Sequence, residues 1–108
     1  KALRWLIKYS PLQNVRHGNC YPPTIITTSD HDDRVVPSLS YKFAAALQHV
    51  QRCSNPILLR VARQTSHNYM PTNKRIARAA DILAFMAHNL GARPSAHYDD
   101  KKSTANSR

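Results

Sequence analysis

Glycine is scarce in this chain of 108 residues, and glutamate is absent. The two glycines stand at positions 18 and 91. The chain therefore contains no Gly-x-Ser-x-Gly segment, the sharp turn that presents a serine nucleophile at the end of a strand. We expect any nucleophile of that kind to precede Lys1 in a longer polypeptide.

Acidic residues are also few, with six aspartates against 16 lysines and arginines and a net charge of +10. Such an excess requires nucleic acids and other acidic partners to be considered. The basic residues are spread through every segment, so a non-catalytic basic module that binds nucleic acid is only the alternative function. Lys74, Arg75 and Arg78 could hold a phosphate backbone, although a solvated helix face is the favoured interpretation.

Cysteines and long apolar runs are equally limited. Cys20 and Cys53 lie far apart and form no Cys-x-x-Cys pair, which suggests neither a zinc site nor a disulfide framework, so we expect free, partly buried thiols. No run approaches the ~18 to 20 apolar residues that a membrane span requires. We do not expect the basic first segment to be a signal peptide. We expect a soluble protein of the cytoplasm, with the periplasm as the alternative.

The most informative stretch begins at residues 24–29, which are uncharged and largely β-branched. This pattern predicts a strand buried on both faces, as in parallel sheets. The strand stops at four consecutive titratable residues, 30–33, followed by Arg34. Carboxylates at the carboxyl end of such a strand lie where open α/β sheets build their sites. A helix should begin at Pro37-Ser38, with Ser38 as its cap.

Periodicity along the whole chain predicts an α/β fold of βαβα order after the end of a short helix. The apolar residues of the two main helices recur at helical spacing and should face the sheet. They are Phe43, Ala44, Leu47 and Val50 in the first helix, and Ile76, Ala80, Leu83, Ala84, Ala87 and Leu90 in the second. The predicted elements are the last part of a helix at 1–8, strands at 21–29 and 56–62, and helices at 38–51 and 72–90. The last helix should begin at Thr72 or Asn73, either of which is a plausible cap, and should end at Leu90 because Gly91 follows.

A two-stranded sheet of this kind leaves backbone edges and one face uncovered. We therefore expect the chain to be part of a larger domain or to need a partner. Residues 92–108 are polar, and we expect them to form a disordered tail.

A histidine, His67, lies in the loop that follows the second predicted strand. A right-handed crossover between parallel strands places both carboxyl ends at one rim, so His67 and the carboxylates of residues 30–33 should share it. A carboxylate that accepts from one imidazole nitrogen stabilises the imidazolium formed when the other nitrogen takes a proton. Asp30, His31 and Asp33 are not expected to bind a metal, because adjacent side chains on an extended backbone point to opposite faces.

Several segments together resemble the end of the peptidase domain of the prolyl oligopeptidase family. The likeness covers residues 2–91, and its most specific part is Asp-His-Asp-Asp-Arg-Val-Val-Pro at residues 30–37. The other segments are Tyr9-Ser10-Pro11-Leu12, Asn14-Val15, Tyr21-Pro22-Pro23 and Tyr41-Lys42-Phe43-Ala44-Ala45-Ala46-Leu47-Gln48. The resemblance implies that residues 1–91 are the C-terminal part of an α/β-hydrolase peptidase domain. It also implies a β-propeller elsewhere in the whole protein and cleavage of short peptides on the carboxyl side of proline.

By the same resemblance, Asp32 matches the acid of a Ser-His-Asp triad, His67 the general base, and Arg34 an arginine that binds the substrate backbone. No metal or cofactor is implied, and the serine, the oxyanion-hole tyrosine and the walls of the proline pocket belong to segments before this chain. We therefore expect the isolated chain to be inactive. The family usually has glycine on both sides of the histidine, where this chain has Ser66 and Asn68. For Asp32 the alternative is a turn cap or an ion pair with Arg34.

Overall fold

Two parallel strands with a helix packed against them form the centre of the computed structural model, which describes residues 2–93. The elements are α1 (Ala2–Tyr9), a 3-10 turn (Leu12–Asn14), β1 (Thr24–Ser29), α2 (Pro37–Val50), β2 (Ile57–Ala62) and α3 (Thr72–Asn89). The βαβα order is as predicted, and β1 begins three residues later than expected because Pro22 and Pro23 cannot donate to the strand ladder. The predicted disordered tail lies almost wholly outside the described residues.

The sheet pairs β1 with β2 in parallel, from Thr24 opposite Ile57 to Ser29 opposite Ala62. Backbone hydrogen bonds continue past the strands, from Asp30 N to Ala62 O at 3.0 Å and from His31 N to Thr65 O at 3.1 Å. The segment after β1 is therefore held beside the segment after β2. This pairing brings the two loops of the predicted site together.

Helix α2 packs on both strands and buries Ala44, Leu47 and Val50, which confirms most of its predicted apolar face. The predicted cap is wrong, since the helix begins at Pro37, one residue before Ser38, and has no side-chain cap. Proline suits the first helical position because its fixed φ is already helical and its missing N–H would have had no partner there.

Strand β1 is less buried than its sequence suggests. Only Ser29 of its six residues is buried, and Thr27 is exposed. Burial on both faces was predicted because an uncharged β-branched run is typical of central strands. Within residues 2–93, however, β1 has one neighbouring strand, so most of its side chains remain partly open.

Helix α3 contradicts the prediction that its apolar stripe faces the sheet. Ile76, Leu83 and Leu90 are 65%, 64% and 76% exposed, and the helix has no buried residue. Polar contacts attach it to the sheet and to the loop after β2: Arg60 Nε donates to Asp81 at 2.6 Å, and Lys74 Nζ donates to a loop carbonyl. The helix starts at Thr72, without a side-chain cap, and ends at Asn89. No helix among residues 2–93 has both the length and the apolarity needed to cross a membrane.

The expectation of free thiols is wrong, because Cys20 and Cys53 form a disulfide with their Cα atoms 5.4 Å apart. Cys20 lies before β1 and Cys53 before β2, and the amino ends of two neighbouring parallel strands must lie side by side. The side chain of Gln51 also holds these two segments together, because it accepts the Tyr21 N–H at 2.8 Å and donates to the Tyr21 carbonyl at 3.0 Å. Cysteine spacing carries no information about this tertiary neighbourhood.

Candidate active site

An imidazole–carboxylate pair lies where the two strand-end loops meet. Nδ1 of His67 is 2.9 Å from Oδ2 of Asp32 and 3.1 Å from Oδ1. The side chain of Asp32 is 12% exposed and that of His67 is 38% exposed. The acid is therefore sheltered by the loop, while the imidazole remains accessible from solvent.

Backbone donors hold the Asp32 carboxylate in place. Its Oδ1 accepts the N–H groups of Val35 at 2.9 Å and Arg34 at 3.0 Å. The bond from Val35 is the largest influence on the pKa of Asp32, and together with the bonds from His67 and Arg34 it outweighs burial and lowers that pKa. One carboxylate thus caps the following turn and also contacts the histidine. No ion pair joins Asp32 to the Arg34 side chain within residues 2–93.

The contact with Asp32 determines which tautomer the His67 imidazole adopts. An ionised carboxylate only accepts, so Nδ1 of His67 carries the proton of their hydrogen bond, and Nε2 is left as the acceptor. Within the described residues, Nε2 makes no hydrogen bond. The ring therefore presents an open nitrogen that can accept a proton.

Ser66, at a position where the resemblance led us to expect glycine, closes the turn that carries the histidine. Its N–H donates to the Tyr69 carbonyl at 3.0 Å, and its Oγ accepts the Tyr69 N–H at 3.2 Å. Among non-glycine residues of 2–93, only Gln64 has a positive φ, of +54°. Neither Ser66 nor Asn68 therefore needs the left-handed backbone that glycine would favour.

The three basic residues considered as an anion site separate in the structure. Arg75 and Arg78 line a cavity of about 210 Å³ with His67, whose remaining lining residues are Ser29, Ser66, Asn68 and Met70. Lys74 instead donates its Nζ to the carbonyl of Arg63 at 2.6 Å. Two of the three basic residues thus line the same cavity as the histidine.

Arg34, the predicted substrate-binding residue, is exposed beside this pair. Its backbone is fixed because its N–H donates to Asp32. The structure thus places Asp32 and Arg34 in the loop after β1 and His67 in the adjoining loop after β2.

Sequence reasoning missed the contribution of Asp30. Its Oδ2 accepts the Gln64 N–H at 2.9 Å, its Oδ1 accepts the Thr65 N–H at 3.2 Å, and the same Oδ1 lies 2.7 Å from Nδ1 of His31. The bond with His31, followed by that from Gln64, sets the pKa of Asp30 far below its usual range. The available signal was its position, since an acid at the end of one parallel strand faces the loop leaving the next.

Known proteins resemble this chain over the region that contains its helices and strands. The prolyl oligopeptidase family profile matches residues 1–93. Over 92 residues the chain is 46% identical to a prolyl endopeptidase from Elizabethkingia meningoseptica, covering 84% of this chain and 13% of that protein. Over 89 residues it is 42% identical to prolyl oligopeptidase A from Amanita bisporigera, covering 81% of this chain and 12% of that protein. The chain therefore spans only a small part of these relatives.

Solved structures agree with the sequence comparison. A structure from a study of two prolyl endopeptidases superimposes with a TM-score of 0.72 at 39% identity, covering 97% of this chain and 15% of that one. Prolyl oligopeptidase B from Galerina marginata, bound to a 35mer hydrolysis and macrocyclization substrate, gives a TM-score of 0.76 at 37% identity, covering 82% of this chain and 13% of that one. Since the family profile spans all the described elements, this chain belongs to the prolyl oligopeptidase family.

Proposed function

We propose that this chain supplies the acid and the base of a serine peptidase that hydrolyses short peptides on the carboxyl side of proline. The observation that carries the proposal is the contact between Asp32 and His67 at 2.9 Å, in a chain whose relatives include prolyl endopeptidases. In this proposal residues 1–91 form the C-terminal βαβα portion of an α/β-hydrolase domain. The serine, the oxyanion-hole tyrosine, the proline pocket and the β-propeller come from segments outside these 108 residues.

The proposed reaction uses His67 twice. As the serine oxygen attacks the carbonyl carbon of a prolyl residue, Nε2 of His67 takes the serine proton, and the C–N bond then breaks as His67 gives that proton to the departing amine. Water subsequently attacks the acyl-enzyme with His67 again as base, the ester C–O bond to the serine breaks, and His67 returns the proton to the serine oxygen. Asp32 stabilises the imidazolium at both stages, and its lowered pKa keeps it ionised at neutral pH.

Arg34 has a separate role in this proposal. Its guanidinium would bind a carbonyl of the peptide backbone and thereby align the prolyl bond with the serine. Its exposed position beside Asp32 and its turn, fixed by the Asp32 carboxylate, support this role.

A chimera tests the proposal, because the missing parts can be taken from a relative. In the chimera, residues 1–93 of this chain replace the matching segment of the Elizabethkingia meningoseptica prolyl endopeptidase. We expect it to cleave a chromogenic glycyl-prolyl peptide, and we expect His67→Ala to lower kcat by about 100-fold or more. His88→Ala removes an exposed imidazole of α3 and is the matched control, expected to keep full activity.

Two results would overturn the proposal. One is a folded chimera, verified by circular dichroism against the parent enzyme, whose peptide cleavage is absent or is unaffected by His67→Ala. The other is turnover of the same peptide by the purified 108-residue chain, which would show that the nucleophile lies within it.

A further inference from the structure

We propose that Asp30 is a positioning residue, whose carboxylate holds the loop carrying His67 so that the imidazole stays within hydrogen-bond reach of Asp32. This inference rests on the proposed function for its catalytic consequence. Its structural basis is the pair of backbone hydrogen bonds from Gln64 and Thr65 to the two carboxylate oxygens, at 2.9 and 3.2 Å.

The first anchored residue, Gln64, has an unfavourable backbone conformation. Its φ of +54° lies in the left-handed region, where a residue with a Cβ is destabilised relative to glycine. Oδ2 of Asp30 accepts the N–H of Gln64 in this conformation. An ionised acceptor forms the stronger kind of hydrogen bond, so Asp30 stabilises the strained turn that starts the loop.

The second anchored residue, Thr65, is 1% exposed and fixed on all sides. Its N–H donates to Asp30, its Oγ1 donates to the Ala62 carbonyl at 2.8 Å, and its own carbonyl accepts the His31 N–H at 3.1 Å. His67 follows only two residues later. The fixed position of Thr65 therefore limits where the His67 side chain can lie.

Asp30 and Asp32 form hydrogen bonds with the loop after β2 at two separate points. Asp30 binds its backbone at Gln64 and Thr65, and Asp32 binds the imidazole of His67. Because the two acids are separated by one residue on the same segment, their spacing limits how far the imidazole can move from Asp32. Without the hydrogen bonds from the loop backbone to Asp30, Asp32 and His67 would both be present but less well aligned.

The charge of Asp30 matters as well as its shape. Its two oxygens accept two backbone N–H groups, and His31 adds a third donor. An asparagine has one acceptor oxygen, and its amide would face an N–H with another donor. Asp30→Asn should therefore keep one of the two backbone bonds, and Asp30→Ala neither.

The chimera described above measures the consequence for catalysis. We expect kcat for the prolyl peptide to fall about 10-fold in Asp30→Asn and about 100-fold in Asp30→Ala, with KM changed less than about twofold, because misplacement of a catalytic group by about 1 Å has effects of this size. Gln64→Gly should restore part of the kcat lost in Asp30→Asn, since glycine adopts the positive φ without strain. Asp33→Ala removes a neighbouring exposed aspartate and is the matched control.

Amide hydrogen exchange of residues 63–69, measured in the chimera and in the 108-residue chain, gives a readout that does not depend on catalysis. We expect faster exchange at both Gln64 and Thr65 in Asp30→Ala, faster exchange at one of the two in Asp30→Asn, and unchanged exchange in Asp33→Ala. A chimera without activity would contradict the proposed function, while the exchange comparison would still decide whether Asp30 anchors the loop. Unchanged exchange in Asp30→Asn, or a kcat in Asp30→Ala equal to that of Asp33→Ala, would overturn the inference. Asp30→Asn serves alone if Asp30→Ala does not fold.

Discussion

His67 Nδ1 contacts Asp32 Oδ2 at 2.9 Å although the two residues are 35 positions apart in the sequence. The contact depends on the parallel pairing of β1 and β2, which places both carboxyl ends at one edge of the sheet. A peptidase mechanism requires this pairing to be maintained, because neither side chain alone both accepts a proton and stabilises the resulting charge.

Replacing the acid of the pair should affect the chemical step. In the chimera we expect Asp32→Asn to lower kcat by about 10⁴-fold, because an uncharged amide neither fixes the productive imidazole tautomer nor stabilises the imidazolium. Steady-state cleavage of the prolyl peptide measures the loss. Asp33→Asn makes the same chemical change one residue away, and an equal loss in that variant would contradict a specific role for Asp32.

Arg34 should contribute mainly to binding. Arg34→Ala is expected to raise KM for the prolyl peptide about tenfold in the chimera and to change kcat less, since a backbone contact made in both the ground state and the transition state provides uniform binding. Arg52→Ala, which removes an exposed arginine from the loop after α2, is the control. A large fall in kcat at unchanged KM would assign Arg34 to the chemical step.

Acid should destabilise the chain through Asp30 and Asp32. Both have folded-state pKa values below the ordinary ones, so the unfolded state binds more protons as the pH falls below about 4. The stability due to these carboxylates is therefore present above that pH and lost below it. Thermal melts of the chimera from pH 6 to pH 2.5 should show a midpoint that falls below about pH 4. The double variant Asp30→Asn/Asp32→Asn should have a lower midpoint at pH 6 and a weaker decline, and an identical decline would contradict the assignment.

The disulfide should stabilise the fold. Cys20 and Cys53 are separated by 33 positions, and closing a loop of that length contributes about 3 to 4 kcal/mol to the free energy of unfolding in the chain-entropy model. Urea unfolding with and without dithiothreitol measures the difference. The variant Cys20→Ser/Cys53→Ser should resemble the reduced protein and should not respond to dithiothreitol. Two titratable thiols in the untreated native protein would contradict the bond.

The exposed face of α3 should make the isolated chain associate. Ile76, Leu83 and Leu90 are all more than half exposed, and exposed apolar patches favour aggregation. Leu83→Lys should raise the soluble fraction of the 108-residue chain, and Ala77→Lys, at another exposed helix position, serves as the control. Analytical ultracentrifugation measures the effect. A soluble monomer with a sharp two-state melt before any substitution would contradict this expectation.

Local patterns were sufficient to predict part of the fold and of the site. The β-branched run at residues 24–29 and the spacing of Ala44, Leu47 and Val50 predicted β1 and the packed face of α2, because each pattern directly reflects the geometry of its element. The expected parallel pairing placed His67 and the carboxylates of residues 30–33 at one rim, and the family resemblance singled out Asp32 among them. The functional roles of these residues stay a prediction.

Other features depend on tertiary proximity, which local patterns do not encode. The apolar stripe of α3 predicted a buried face, but a stripe does not specify which surface covers it, and Leu83 remains open in the described residues. Cys20 and Cys53 have no informative spacing and meet only because both precede paired strands. Asp30 was placed at the shared rim with the other acids, but its partners, the backbone N–H groups of Gln64 and Thr65, could not be named because backbone donors have no sequence motif.

The covalent bond between Cys20 and Cys53 and the Asp32–His67 pair lie at opposite ends of the same two strands. Cells retain such bonds in oxidising compartments and reduce them where glutathione and thioredoxin act. In a reducing environment the amino ends of the strands would be joined only by non-covalent contacts, including those from Gln51 to Tyr21. The redox state of the compartment would then determine how rigidly the two strands are paired, and therefore how well Asp32 and His67 are aligned at their carboxyl ends.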